Sequence, residues 1–276
     1  MNAYTSDLAQ VAAEGESGWA RRDARPKLIM TFGRGASGKS LWARWLVDEA
    51  RSRGQVMIVA DADLINPSLA PFYPDAISLA GGYEDDIIDW IGRIVGLQRE
   101  KKANAVVDFG AAAFPLKELT DTLPLTDFLE HQGIEPVAVH LLGRDHGDFA
   151  YLQHVERLIA PAATILVRNA GVVSRGQSVE RGLREMMEHP AWEAALRRGA
   201  KQVVMPMLDG VQAISALRVG IIDAMRGRPD RRPPLGPVAR QLIALWLREM
   251  KESFAPVMET LGCGQEATDP VRVGRH

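Results

Sequence analysis

Gly33-Arg34-Gly35-Ala36-Ser37-Gly38-Lys39-Ser40 decides how this chain is read. The apolar run Leu28–Phe32 just before it predicts a buried strand, and Leu41–Ser52 just after it predicts a helix. A glycine-rich turn between a strand and a helix N-terminus makes an anion cradle. Backbone N–H groups turn inward there, and the helix end adds partial positive charge. Gly33, Arg34, Gly35, Ala36, Ser37, Gly38 and Leu41 supply the backbone of that cradle. Lys39 is placed to reach the β- and γ-phosphates of a nucleoside triphosphate, and the Ser40 hydroxyl is placed to take one Mg²⁺ position.

Outward from this loop the chain alternates apolar runs with amphipathic segments. Strands are expected at Leu28–Phe32, Val56–Ala60, Ala105–Phe109, Val137–Leu142, Thr164–Arg168 and Gln202–Met205. The runs are continuously apolar, as in a parallel sheet covered on both faces. Helices are expected at Leu41–Ser52, Tyr83–Lys102, Thr126–His131, Asp148–Ile159, Ser178–Glu188, Trp192–Arg197, Gly210–Met225 and Val238–Phe254. The predicted fold is α/β: a doubly wound, mostly parallel sheet flanked by helices, with a C-terminal helical extension. Residues 1–25 are expected to be a flexible N-terminal segment, 26–262 one nucleotide-binding domain with C-terminal helices, and 263–276 a flexible tail.

Two further strand ends carry carboxylates. Val56–Ala60 runs into Asp61-Ala62-Asp63, whose acids lie two apart and point to one side of an extended chain. At the mouth of a nucleotide site Asp61 is expected to orient the attacking water and Asp63 to join the metal shell. A solvated strand end with two chance acids is the alternative. Ala105-Val106-Val107-Asp108-Phe109-Gly110 has the form of a strand whose terminal Asp holds Mg²⁺, and Gly110 is expected to bring its N–H near the γ-phosphate.

In this order, the phosphate loop, Asp61-Ala62-Asp63 and Asp108-Phe109-Gly110 resemble the ParA/MinD group of ATPases, including its plasmid-encoded TraL-like and StbC-like members. Downstream, Asn169 ends a strand where that group places an adenine-contacting asparagine. Val204-Met205-Pro206-Met207-Leu208-Asp209 is similar to its Pro-x-x-Asp turn beside the base, assigning Pro206 and Asp209 to nucleotide binding. The resemblance implies an ATP-binding, ATP-hydrolysing switch that forms a homodimer with ATP and acts in plasmid or DNA partition, stability or conjugal transfer with a protein partner. The chain departs from the pattern at the group's signature lysine, which is Arg34 here, and at a glycine replaced by Ala36. After the Asp pair it runs Leu64-Ile65-Asn66-Pro67-Ser68. Arginine keeps the charge and adds bidentate donors, so a catalytic contact of Arg34 across a dimer remains chemically sound. A small-molecule kinase or ATP-dependent ligase on the same fold is the alternative activity. The arginine-rich segment lies far downstream of the loop, which disfavours an adenylate-kinase-type lid.

Composition narrows the remaining classes. The 276 residues are 46% hydrophobic, with 33 basic against 35 acidic side chains, so no global field selects nucleic acid or membrane. No apolar run approaches the roughly 20 residues of a membrane span, and a cytoplasmic protein is expected. One cysteine, Cys263, excludes a disulfide framework. The six histidines lack metal-ligand spacing, and the tryptophans fall in helical packing patterns. Arg226, Arg228, Arg231 and Arg232 crowd a proline-rich stretch. That stretch reads equally as a solvated loop and as a surface for non-specific DNA, with no signal for base-specific recognition.

Overall fold

The computed structural model describes residues 25–264, except 65, 82, 111–113, 144–145, 174–177 and 228–234. Its strands are β1 (Lys27–Phe32), β2 (Met57–Asp61), β3 (Ile77–Ser78), β4 (Asn104–Asp108), β5 (Glu135–Leu142), β6 (Ala163–Asn169) and β7 (Lys201–Met205). The helices are α1 (Lys39–Ser52), α2 (Glu84–Lys101), α3 (Phe114–Thr122), α4 (Leu125–His131), α5 (His146–Leu158), α6 (Val179–Met187), α7 (Pro190–Arg197), α8 (Val211–Ala216), α9 (Ile221–Met225) and α10 (Pro237–Phe254).

The strands form one sheet in the order β3-β2-β4-β1-β5-β6-β7, and every neighbouring pair is parallel. β1 lies between β4 and β5, so the chain leaves it for one half of the sheet and later returns to build the other. Ligands of open α/β sheets bind at the carboxyl ends of the strands at such a point. The register brings Asp61 of β2 level with Asp108 of β4, and Asp108 level with Thr31 of β1. The three candidate segments therefore end together.

Alternation along the strands sorts the core. Leu28, Met30 and Phe32 pack under α2, α3, α4 and α5 on one face. Ile29, Val106, Val137 and Val139 pack under α1 and α10 on the other. There Trp42 and Trp45 of α1 meet Phe254 of α10, the Trp45 and Phe254 ring centroids lying 4.7 Å apart. A third cluster joins Phe149 and Leu152 of α5 to Met186 and Trp192 beside β6.

Apart from two short 3-10 turns, Ala170–Val172 and Ala255–Val257, the described elements depart from the sequence expectation in four places. The expected helix Gly210–Met225 is two short helices. Arg218 adopts a left-handed φ of 53° between them. Two buried groups of α1 hold the break: Arg44 donates to the Val219 carbonyl at 3.0 Å, and Asp48 accepts the Ile222 N–H at 3.0 Å. Two elements were not foreseen, the two-residue edge strand β3 and α3. Finally, Cys263 does not begin a tail: it is fully buried in the core.

Candidate functional site

Lys39 opens α1 directly from the loop. It is 7% exposed, and its ammonium donates to the carbonyls of Gly33 at 2.8 Å and Arg34 at 3.2 Å. Burial lowers its pKa, opposed by the charges of Asp108, Asp63 and Asp148. Phosphate oxygens, which carry charge of their own, can replace these carbonyl contacts with stronger bonds between two ionised groups. The Arg34 carbonyl also accepts the Ser37 N–H at 3.3 Å, closing the turn. Arg34 and Gly35 are exposed at its tip. Ala36, standing where the resembled group has glycine, holds a left-handed φ of 62°.

Gly38 is the hinge from loop to helix, with φ 97°. A Cβ there would lie 2.5 Å from Nδ2 of Asn169. That amide donates to the Ser37 carbonyl at 2.8 Å, while Oδ1 accepts the Gly171 N–H at 2.8 Å. Asn169, at the end of β6, thus braces the phosphate loop against a 3-10 turn, Ala170–Val172.

On the other side of β1 the carboxylates divide the work. Asp108 accepts the Gly110 N–H at 3.0 Å on one oxygen. Its other oxygen accepts the hydroxyls of Ser40 at 3.4 Å and Ser68 at 2.7 Å. Ser40 and Asp108, both expected at the metal, are together. Asp61 is 2% exposed, and its carboxylate accepts backbone N–H groups of Ser68 (2.7 Å), Leu69 (2.7 Å), Ala70 (3.0 Å) and Asp63 (3.1 Å). Burial raises its pKa, and the Leu69, Ala70 and Asp63 amides pull the other way. Asp61, whose expected role is to orient water, holds its carboxylate against the backbone of its own loop. Asp63 accepts the Asn66 N–H at 2.9 Å and lies over Gly110, where an added Cβ would be 2.7 Å from Oδ2. Gly110, expected at the γ-phosphate, donates its N–H to Asp108.

Among the described residues no group of three or more His, Cys, Asp or Glu is placed to hold a metal. The Ser40–Asp108 set suits Mg²⁺, which takes few protein oxygens and fills its octahedron with phosphate and water.

A cavity of about 770 Å³ extends from Ala36–Leu41 between Asn169–Val173 and Met205–Gln212. It includes Pro206 and Asp209, so the phosphate-loop and base-side candidates share one space. Its far wall is tied to the C-terminal helix: Trp246 Nε1 donates to the Pro206 carbonyl at 2.9 Å, and Ser253 donates to the Val204 carbonyl. Trp246, read from sequence as packing alone, also positions this turn. Ser68 was missed because a serine in a loop carries no signal until the fold sets it on Asp108. Arg226 lies beyond this cavity, beside Asp223 and Asp48 in a smaller one. Arg228, Arg231 and Arg232 lie outside the described residues.

Sheet order, loop and cavity define the phosphate-loop NTPase fold. No protein-family model matches the sequence, and no curated protein matches it. Among solved structures, the chain is similar to chloroplast FtsY from Physcomitrella patens (TM-score 0.42, 11% identity, 88% of this chain and 72% of that one). It is also similar to the signal recognition particle receptor FtsY from Elizabethkingia anophelis in complex with GDP (0.40, 12%, 72% and 63%). A third likeness is a nucleotide-binding protein in complex with ADP from Archaeoglobus fulgidus (0.40, 13%, 87% and 92%). These are likenesses of fold. Among the described residues no helix is long and apolar enough to cross a membrane.

Proposed function

We propose that this chain binds and hydrolyses ATP as a molecular switch of ParA/MinD type, dimerising with ATP and acting in partition, stability or conjugal transfer of DNA. The observation that carries the reading is the single cavity joining the phosphate loop to Asn169 and the 206–212 turn. Lys39 and the loop amides hold the β- and γ-phosphates, and the 206–212 turn flanks the nucleoside. Ser40 and Asp108 hold Mg²⁺, which when bound offsets the phosphate charge. Asp61 keeps the loop after β2 in register with that site. Arg34, exposed at the tip of the phosphate loop, supplies the positive group that reaches a second subunit's nucleotide. The DNA-binding part of the reading rests on the arginine excess around Arg226 in the sequence.

Light scattering without nucleotide, with ADP and with a slowly hydrolysed ATP analogue tests this. A dimer only with the analogue supports the switch. A monomer in all three conditions, with nucleotide bound, removes dimerisation from the account and favours a small-molecule kinase.

A further inference from the structure

Asp108 is where two hydroxyls from distant parts of the chain meet. Ser40 comes from the phosphate loop and Ser68 from the loop after β2, and both donate to the same oxygen, Oδ2. Ser68 is the nearer, at 2.7 Å. Its position is not left to chance, because Asp61 takes the backbone N–H groups of Ser68 and the two residues after it. The strand end thus aims one serine hydroxyl at the carboxylate assigned to the metal.

A hydroxyl that ligates Mg²⁺ through a lone pair still carries its proton, and a carboxylate beside it accepts that proton's hydrogen bond. Ser40 fits this pattern, and Ser68 shows the same donor relation to the same oxygen. We propose that Ser68 is a second hydroxyl ligand of the Mg²⁺ shell, so that metal loading fixes the segment 68–70 through its side chain as Asp61 fixes it through the backbone. The loop then responds to the metal–nucleotide complex and not to nucleotide alone. This rests on the nucleotide-binding reading above.

The test uses the full chain and compares nucleotide affinity with Mg²⁺ and with EDTA, by calorimetry with ADP and with the slowly hydrolysed ATP analogue. Mg²⁺ should tighten binding to the wild type. In Ser68→Ala that gain should shrink about tenfold or more, with affinity in EDTA unchanged, as losses at metal shells run. Hydrogen exchange of residues 68–70 should slow on adding Mg²⁺ to the nucleotide complex of the wild type but not of Ser68→Ala. Ser68→Cys adds a readout that a structural role does not move: a thiolate is a poor Mg²⁺ ligand and a good Cd²⁺ ligand, so Cd²⁺ should restore the gain in this variant. A Mg²⁺ gain in Ser68→Ala equal to that of the wild type overturns the proposal. So does a folded Ser68→Cys that Cd²⁺ fails to restore, which decides the matter alone if the alanine variant does not fold. Wild-type protein that binds no nucleotide in either buffer refutes the nucleotide reading itself, a distinct outcome.

Discussion

Gly38→Ala tests how the phosphate loop is held. A side chain at φ 97° is strained wherever it points, at a cost of about 1–2 kcal/mol. The new methyl carbon would also lie 2.5 Å from Nδ2 of Asn169 and 3.7 Å from the Met205 methyl. The amide must swing away, and its 2.8 Å bond to the Ser37 carbonyl is lost. Leaving a buried carbonyl without its donor costs about 1–3 kcal/mol. The expected destabilisation is therefore about 3 kcal/mol, a fall in unfolding midpoint of roughly 6–12 °C for a domain of this size. Urea unfolding of Gly38→Ala, Asn169→Ala and the double variant separates the two parts. In the Asn169→Ala background the second substitution should cost only the backbone share, about 1–2 kcal/mol. Equal costs in both backgrounds would refute the brace between Asn169 and the loop.

Three other expectations follow from buried groups. His140 is wholly buried in β5 with neither ring nitrogen hydrogen-bonded, and burial pushes its pKa down to about 3. The unfolded chain takes up a proton below pH 6.5 that the folded chain refuses, so stability is lost as pH falls from 6.5 toward 3. The loss is about 1.36 kcal/mol per pH unit, or about 2 kcal/mol by pH 5, and His140→Leu should remove that share of the slope in urea titrations. Trp246→Phe deletes the donor to the Pro206 carbonyl and should cost about 1 kcal/mol in stability while weakening nucleotide binding through the 206–212 turn; an unchanged affinity would disconnect α10 from the site. Cys263 is fully buried and its thiol is pushed up to about 12, so iodoacetamide at pH 8 should leave it unmodified in the native protein and alkylate it in urea.

The sheet, and the glycine-rich loop between β1 and α1, were legible because their signals are local. A continuous apolar strand, a glycine-rich turn and a helix start occupy adjacent residues, and strand-terminal acids announce Asp61, Asp63 and Asp108 in the same way. What the sequence could not show depends on residues distant along the chain. The break in Gly210–Met225 is made by Arg44 and Asp48, more than 170 residues earlier. The orientation of Asp61 depends on amides seven to nine residues downstream, and a carboxylate at a strand end looks the same whether it faces a ligand or its own loop. Ser68 and Trp246 acquire positions at the site only through tertiary contacts with Asp108 and Pro206. Cys263 resembles a tail residue until α10 carries it under the sheet.

If the cavity beside Gly33–Ser40 is a nucleoside triphosphate site, removing the Lys39 ammonium should weaken the nucleotide's hold there. Calorimetric titration of wild type and Lys39→Ala with the slowly hydrolysed ATP analogue in Mg²⁺ measures this. One nucleotide should bind per wild-type chain, with an affinity lower by about ten- to a hundred-fold in the variant, the worth of one charged hydrogen-bonding group at about 1.5–3 kcal/mol. The variant should retain the native fold by circular dichroism. Equal affinity in the two proteins, or no heat of binding with the wild type, would contradict a triphosphate site there.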